Sequence, residues 1–187
     1  MIFYPKGYFN KVSEISLEYL KENNIKGLIL DVDNTLIDYY KNMSEETKNW
    51  VYDLKKNGIK MCILSNSNKR EKVKEIAGKL GLEYTYFGTK PLKRGFKKAK
   101  KMLNLENSEI AAVGDQIFTD VIGSNRMKMF SILVEPIEEK DIFVTLLKRP
   151  IENYIKRKYI ENVKKWNFCY IFLMQNEVEN LKTKEIK

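Results

Sequence analysis

The sequence predicts an α/β fold built on a parallel sheet. Short apolar runs that end in small or acidic residues alternate with longer segments whose apolar residues recur every three or four positions. This alternation is typical of repeated strand-helix-strand units, which form parallel sheets. The chain has 187 residues, 43% apolar and 32% charged, which is ordinary for a globular protein long enough to bury a core of its own.

Five strands are predicted from the apolar runs. They cover residues 27–31, 59–64, 84–87, 110–114 and 130–134.

The intervening helices are recognised by their ends. Ser44 before two glutamates is a typical N-cap, and Gly58 is a typical stop for the same helix. A second helix ends at Gly81, since glycine readily adopts the left-handed conformation that follows a helix. Further helices are predicted around residues 17–22, after Pro91, and from about Thr119 and Asp120.

Near Pro150, the alternation of apolar runs and helical segments gives way to a basic segment with helical spacing. We expect one domain over residues 1–149, including the N-terminal helix, and a basic amphipathic helix and tail over 150–187. Apolar residues of the tail recur at helical spacing: Ile151, Tyr154, Ile155, Tyr159, Val163, Trp166 and Tyr170. Two interpretations stay open, an interfacial membrane helix or a helix packed on the domain or on a second subunit.

Composition excludes several kinds of catalysis. The chain has no histidine, which removes serine-histidine triads and imidazole bases. Cys62 and Cys169 are the only cysteines, and no arginine stands six residues after either one. A disulfide framework, a zinc ribbon and a cysteine phosphatase loop are therefore excluded.

The net charge of +9 is concentrated in two regions. Residues 90–101 hold seven basic residues and no acid, and residues 148–187 carry a net charge of +5. Such regions favour anionic partners. The first ten residues contain Pro5, Lys6 and Gly7, which interrupt any signal-peptide core, so we expect a cytoplasmic protein.

Polar residues follow the first four predicted strands. Ligands bind at the carboxyl ends of strands in open α/β sheets, so these residues are the candidate site. They are Asp31 and Asp33, Ser65 and Asn66, Lys90, and Asp115 with Asp120.

This set of side chains suits a phosphoryl group bound beside a metal. Three nearby carboxylates repel one another unless a cation lies among them, and few oxygen ligands with room for water and phosphate are what Mg²⁺ prefers. Lys90 and the hydroxyl of Ser65 can hold phosphate oxygens, and Asn66 is a weaker candidate for the same role. Asn34 tolerates a left-handed backbone, which suits a sharp turn after the acidic pair.

The order DxDxT, Ser, Lys and GDxxxxD resembles the haloacid dehalogenase-like (HAD) phosphohydrolase superfamily over almost all of residues 2–150. The exact residues of these motifs are DVDNTL, LSN, KPL and GDQIFTD. They resemble one branch of the superfamily, the YqeG-type class IIIA phosphatases, which are relatives of the phosphatidylglycerophosphate phosphatases. The resemblance implies a Rossmannoid three-layer sandwich whose five-stranded parallel sheet has the order 5-4-1-2-3.

The resemblance also implies a role for each acidic residue. Asp31 would be the nucleophile that forms an aspartyl-phosphate, and Asp33 the general acid and base. Asp31, the backbone carbonyl of Asp33, and Asp115 would bind Mg²⁺, while Asp120 would lie just outside these ligands or near Lys90.

The spacing between the motifs leaves no room for an inserted cap domain. Only 34 positions separate Asp31 from Ser65, and 25 separate Ser65 from Lys90. An open site, unless an oligomer covers it, favours a bulky phosphorylated substrate, and the resemblance suggests phosphatidylglycerophosphate. The tail would then allow peripheral membrane contact.

Two other functions stay open at this point. A receiver-like phosphoacceptor also uses an acidic cluster, a hydroxyl and a lysine. That class of protein has no need for an acid two residues after the phosphorylated aspartate, where Asp33 stands. A nucleic-acid-binding module with a vestigial site would use the lysine-rich segment 93–101. The five arginines lie in no recognised RNA-binding motif, which argues against that partner.

Overall fold

The computed structural model describes residues 2–138 and 150–162. Six parallel strands form one sheet with the order β1-β6-β5-β2-β3-β4. The strands are β1 (Gly7–Phe9), β2 (Gly27–Leu30), β3 (Lys60–Leu64), β4 (Glu83–Thr85), β5 (Ile110–Gly114) and β6 (Phe130–Val134).

The predicted parallel α/β fold and the predicted order of five strands are confirmed, but the prediction of only five strands is wrong. The additional strand is β1, which pairs with the outer edge of β6 from Gly7↔Ile132 to Phe9↔Val134. Three residues are too few to show an alternating pattern. Such a strand forms because the backbone of β6 offers hydrogen-bonding groups along an edge that is otherwise unpaired.

Five helices accompany the sheet. They are α1 (Leu17–Glu22), α2 (Glu45–Lys56), α3 (Arg70–Leu80), α4 (Lys93–Leu103) and α5 (Ile122–Arg126). The Ser44 hydroxyl accepts a hydrogen bond from the Thr47 N–H at the start of α2, as an N-cap does. Gly58 and Gly81 have positive φ values directly beyond α2 and α3, so both predicted stops are confirmed.

The sheet separates two apolar cores, which gives the three layers. Alternate residues of the central strands point to opposite faces. Leu28 and Leu30 of β2 lie in the core that is shared with α1, α2 and α3, whereas Ile29 lies in the core that is shared with α4. The second core contains three buried residues of the basic helix α4: Phe96, Ala99 and Leu103.

Two predicted element boundaries are wrong. The strand predicted over residues 84–87 ends at Thr85, because the chain turns there and Phe87 has φ 48°. The helix predicted from Thr119 begins at Ile122 and follows a π-helical turn, Ile117–Val121. That turn directs both Thr119 and Asp120 into the protein, where they are buried.

The chain divides into two compact units, residues 1–146 and 147–187. Within the second unit, residues 150–162 form a helix, α6, on which Ile151 and Tyr154 are exposed. Val163, Trp166 and Tyr170 of the predicted amphipathic face lie outside the described residues. In the described part of the chain, no helix combines the length and the apolar character that a bilayer-spanning segment requires.

Candidate active site

The loop after β2 begins the site. Asp31 directly follows the strand, and its N–H donates to the carbonyl of Val113 at 2.9 Å, which continues the pairing with β5. Asn34 has φ 59°, the left-handed conformation that the sequence predicts, and its N–H donates to the Ile37 carbonyl. This tight turn leaves Asp31 buried at the carboxyl end of the sheet.

Lys90 joins two of the candidate carboxylates. Its Nζ lies 2.7 Å from Oδ1 of Asp31 and 2.6 Å from Oδ1 of Asp120. The side chains of all three residues are less than a tenth exposed. The loops after β2, β4 and β5 therefore meet at one ion-paired centre, in which Asp120 lies near Lys90.

Three carboxylates form a cluster that can hold a cation. Asp31, Asp115 and Asp120 are all buried, and each offers an oxygen within 4.8 Å of the oxygens of the other two. The hydroxyl of Thr35 lies 3.4 Å from Oδ1 of Asp115. An all-oxygen cluster of this size matches the ligand preference of Mg²⁺.

The burial and the close approach of these charged groups shift the pKa values of Asp31 and Lys90. Burial, together with the neighbouring carboxylates of Asp120 and Asp33, raises the pKa of Asp31 to about 7, although Lys90 opposes the shift. Burial by itself would lower the pKa of Lys90, but the carboxylates of Asp120 and Asp31 outweigh it and raise that pKa. The protein thus holds a charged ammonium beside carboxylates that repel one another, and a bound cation would relieve that repulsion.

The π-helical turn holds Asp120 in place. Oδ2 of Asp120 accepts hydrogen bonds from the Thr119 hydroxyl at 2.9 Å and from the Gln116 N–H at 3.3 Å. Gly114, the last residue of β5, makes this position possible, since a Cβ atom there would lie 2.3 Å from Cγ of Asp120. The GDxxxxD pattern by itself does not indicate this steric role of the glycine.

The residues after β3 support Lys90 from the other side. Ser65 is fully buried, and its Oγ accepts a hydrogen bond from the Ser67 N–H at 3.0 Å. The side chain of Asn66 binds the backbone of Lys90 twice. Its Oδ1 accepts from the Lys90 N–H at 2.7 Å, and its Nδ2 donates to the Lys90 carbonyl at 3.0 Å. The amide of Asn66 therefore positions Lys90 in this structure.

Asp33 stands apart from the other acids. Its side chain is 42% exposed, and its Oδ1 contacts Nζ of Lys72, on the first turn of α3. Lys72 could not be recognised from the sequence, because a lysine on an amphipathic helix has no local feature that distinguishes it from a solvated one. The structure thus groups Asp31, Asp115 and Asp120, and places the Asp33 carboxylate at the solvent side of the group.

A cavity of about 490 Å³ lies beside Thr35. It is bounded by the loops that follow β1, β2 and β6, all at the carboxyl end of the sheet. Its apolar lining includes Val12, Met43 and Val134. Because Thr35 also contacts Asp115, this cavity adjoins the acidic cluster.

The described geometry unites a buried carboxylate at a strand end, a lysine paired with it, a buried hydroxyl and an acidic cluster. Residues 40–127 match the family model of haloacid dehalogenase-like hydrolases, and this span contains Ser65, Lys90, Asp115 and Asp120. Over 154 residues, the chain is 36% identical to a Bacillus subtilis protein, and the match covers 82% of this chain and 89% of that relative. The chain therefore belongs to the haloacid dehalogenase-like hydrolases and is a phosphatase of that family.

The Bacillus subtilis relative is named Probable phosphatase YqeG, which places this chain in the YqeG-type branch. The chain is also 25% identical over 161 residues to phosphatidylglycerophosphate phosphatase 1, chloroplastic/mitochondrial, of Arabidopsis thaliana, a match covering 78% of this chain and 45% of that protein. A crystal structure of an uncharacterised Listeria monocytogenes protein has the same fold, with a TM-score of 0.51 and 20% identity, over 63% of this chain and 86% of that one.

Proposed function

We propose that the protein is an Mg²⁺-dependent phosphomonoester hydrolase that works through an aspartyl-phosphate on Asp31. The observation that carries the proposal is the contact of the buried Asp31 carboxylate with Lys90, beside Asp115 and Asp120. A nucleophilic carboxylate needs to be shielded from water and to face the group that carries the phosphate charge, and this placement meets both needs.

In the first step, an oxygen of Asp31 attacks phosphorus while the bond to the leaving oxygen breaks. Asp33 gives its proton to that oxygen, so the alcohol departs neutral. The exposed position of the Asp33 carboxylate suits this role, because the leaving group must lie on the solvent side of the phosphoryl group. Lys90 and the Ser65 hydroxyl hold the non-bridging oxygens.

In the second step, the Asp33 carboxylate takes a proton from water as the water oxygen attacks phosphorus. The bond from Asp31 to phosphorus breaks, inorganic phosphate is released, and both aspartates return to their starting states. Nζ of Lys72 contacts Oδ1 of Asp33. We propose that this contact holds the Asp33 side chain at the rim of the site.

The acidic cluster fits a magnesium ion. Asp31 and Asp115 would hold it together with the backbone carbonyl of Asp33, and Asp120 is close enough to Asp31 and Asp115 to bind it directly or to support Lys90. When bound, Mg²⁺ supplies positive charge that offsets the phosphoryl oxygens and the repulsion among the carboxylates.

For the substrate, we propose phosphatidylglycerophosphate. The Arabidopsis thaliana relative is named for that activity. Only α2 lies between β2 and β3, and only α3 between β3 and β4, so no inserted domain covers the site from these segments. A phosphomonoester on a large lipid can reach such an open site, whereas a small metabolite gains from enclosure.

A substrate panel tests the proposal. We expect Mg²⁺-dependent phosphate release from phosphatidylglycerophosphate in mixed micelles and from p-nitrophenyl phosphate, with much weaker turnover of nucleotides and phosphopeptides.

Asp31→Asn should abolish turnover and leave the fold intact, because an amide has no anionic oxygen to attack phosphorus. A phosphorylated protein that accumulates without releasing phosphate would instead indicate a phosphoacceptor, and full activity in EDTA would exclude the metal.

A further inference from the structure

The exposed apolar side chains of the first unit are concentrated around the candidate active site. Within residues 2–138, nine large apolar side chains are exposed, and six of them lie on loops that follow β2, β4 or β6. These loops all emerge at the carboxyl end of the parallel sheet, where Asp31 and Lys90 lie. The six are Tyr39, Tyr40, Tyr86, Phe87, Leu92 and Ile137, and the other three are Ile2, Phe3 and Tyr52.

The loop between β4 and α4 carries the most prominent of these residues. Phe87 is 64% exposed and Leu92 is 54% exposed. The loop is not loosely attached, since the Phe87 N–H donates to the Ser67 carbonyl at 2.9 Å and the Gly88 N–H to the Ser65 carbonyl at 2.8 Å. Two apolar side chains are thus held toward solvent by a loop whose backbone is fixed.

Positive charge surrounds the same loop. α4 begins with Lys93 and Arg94, both exposed, and its first turn contains no acid. Across the loop, the guanidinium of Arg70 lies 5.8 Å from the ring centroid of Tyr86. Because α4 starts at the carboxyl end of the sheet, these charges lie beside the entrance to the site rather than on a remote face.

Aromatic and apolar side chains flanked by lysine and arginine form the kind of surface that enters the headgroup region of an anionic bilayer. Exposed apolar side chains that lie close together and are rimmed by polar residues mark protein or membrane interaction sites. A polyanion that binds through charge alone would leave Phe87 and Leu92 without a role. The combination therefore favours an anionic lipid surface.

We infer that an entrance surface made of Arg70, Tyr86, Phe87, Leu92, Lys93 and Arg94 docks the protein onto anionic membranes, with the active site facing the bilayer. This inference rests on the proposed function, because the purpose of docking would be access to a phosphorylated lipid. The same loop holds Lys90, so docking brings a lipid headgroup to the residue that binds phosphate. This surface is distinct from the tail that the sequence analysis considered for membrane contact.

Vesicle flotation of the full chain tests the docking. Vesicles of phosphatidylcholine that contain about 30% phosphatidylglycerol should bind the protein, and vesicles of pure phosphatidylcholine should not, because anionic lipids attract basic residues at the surface. Phe87→Ser with Leu92→Ser should weaken partitioning by about 100-fold or more, since burying each large side chain is worth about 1.5 kcal/mol or more. Lys93→Gln with Arg94→Gln should weaken it roughly 30-fold at low salt, from about 1 kcal/mol per charge.

Matched controls use exposed residues away from the entrance. Tyr52→Ser removes an equally exposed aromatic from α2, and Lys101→Gln removes a charge from the far end of α4. Neither should change binding. If the entrance variants bind vesicles as well as the native protein does, the inference is overturned. It is also overturned if the charge variants weaken binding and the apolar variants do not, because the surface would then be a general polyanion site.

Site-specific labelling separates the entrance from the tail. With Cys169→Ser as background and Cys62 buried, an environment-sensitive fluorophore on Phe87→Cys should shift to the blue on anionic vesicles, and one on Tyr52→Cys should not. No shift at position 87 despite binding would assign the contact to another part of the chain and overturn the inference.

Binding and catalysis are measured separately, so their failures are distinguishable. Vesicle binding by Asp31→Asn without Mg²⁺ reports on docking alone. Docking without hydrolysis of phosphatidylglycerophosphate would contradict the proposed substrate, whereas hydrolysis in detergent micelles without docking would contradict this inference. Phe87→Ser with Leu92→Ser should leave turnover of p-nitrophenyl phosphate unchanged.

Discussion

Asn66 binds the backbone of Lys90 through both atoms of its amide, accepting from the Lys90 N–H at 2.7 Å and donating to the Lys90 carbonyl at 3.0 Å. The two residues are 24 positions apart, in the loops that follow β3 and β4. Each loop by itself is a short irregular segment. The paired hydrogen bonds join them and set where the Lys90 ammonium meets Asp31 and Asp120.

Asn66→Ala should lower kcat/KM on p-nitrophenyl phosphate by roughly tenfold or more. The change removes two hydrogen bonds from the Lys90 backbone, a loss of about 1–3 kcal/mol at the residue that we propose to hold phosphate oxygens. Steady-state kinetics measures the effect. Asn68→Ala is the matched control, since Asn68 is exposed as Asn66 is and lies two positions further on, and this variant should be nearly neutral. Equal kinetics for the two variants would remove the positioning role of Asn66.

Asp33→Asn should discriminate between leaving groups. On an alkyl phosphate such as phosphatidylglycerophosphate, the rate should fall roughly 10²- to 10⁴-fold, because the alkoxide needs a proton from Asp33. With p-nitrophenyl phosphate the first step should be affected much less, since nitrophenolate leaves without a proton, and a burst of nitrophenolate should precede slow hydrolysis of the phosphoenzyme. Rapid-mixing kinetics measures both phases.

The control for this prediction is Asp38→Asn in the same loop. Asp38, five positions along the chain from Asp33, accepts hydrogen bonds from the N–H and the side chain of Asn42. That variant should keep near-native rates on both substrates. An equal loss for Asp33→Asn on both leaving groups would argue against its role as the general acid.

Mg²⁺ should raise the melting temperature of the native protein. A ligand that binds only the folded state stabilises it by about 2.7 kcal/mol at a hundred times its Kd. Asp115→Asn should remove most of this increase, because it takes one carboxylate from the cluster, whereas Asp53→Asn on the exposed face of α2 should not. Calorimetry in Mg²⁺ and in EDTA measures the shift, and an unchanged shift in Asp115→Asn would contradict the metal assignment.

Ca²⁺ should inhibit turnover, since the larger ion accepts more ligands and can hold both oxygens of the nucleophilic carboxylate.

Two glycine substitutions should have opposite effects on stability. Gly114→Ala should lower the melting temperature and the activity, because its Cβ would lie 2.3 Å from Cγ of Asp120 and would displace that carboxylate from Lys90. Gly78→Ala should stabilise the protein by about 0.5–1 kcal/mol, since Gly78 is an exposed residue of α3 with open space around it. Thermal denaturation of both variants tests the pair, and an active, stable Gly114→Ala would show that Asp120 can move without consequence.

The sequence determines much of the architecture because the responsible forces are local. Buried parallel strands appear as apolar runs, and amphipathic helices appear at a spacing of three to four, so the central strands and the ends of α2 and α3 follow from residues near one another in the chain. The acidic and polar residues at four strand ends are equally visible. Once the strands are parallel, topology brings Asp31, Lys90, Asp115 and Asp120 to one end of the sheet.

Only the tertiary structure decides which of these side chains contact one another. The three residues of β1 become a strand because β6 has an edge to pair with, and the Asn66 amide binds Lys90 because two loops meet. Lys72 reaches Asp33 from the start of α3. Each of these contacts joins residues far apart in sequence, and its free energy depends on a geometry that no local pattern encodes.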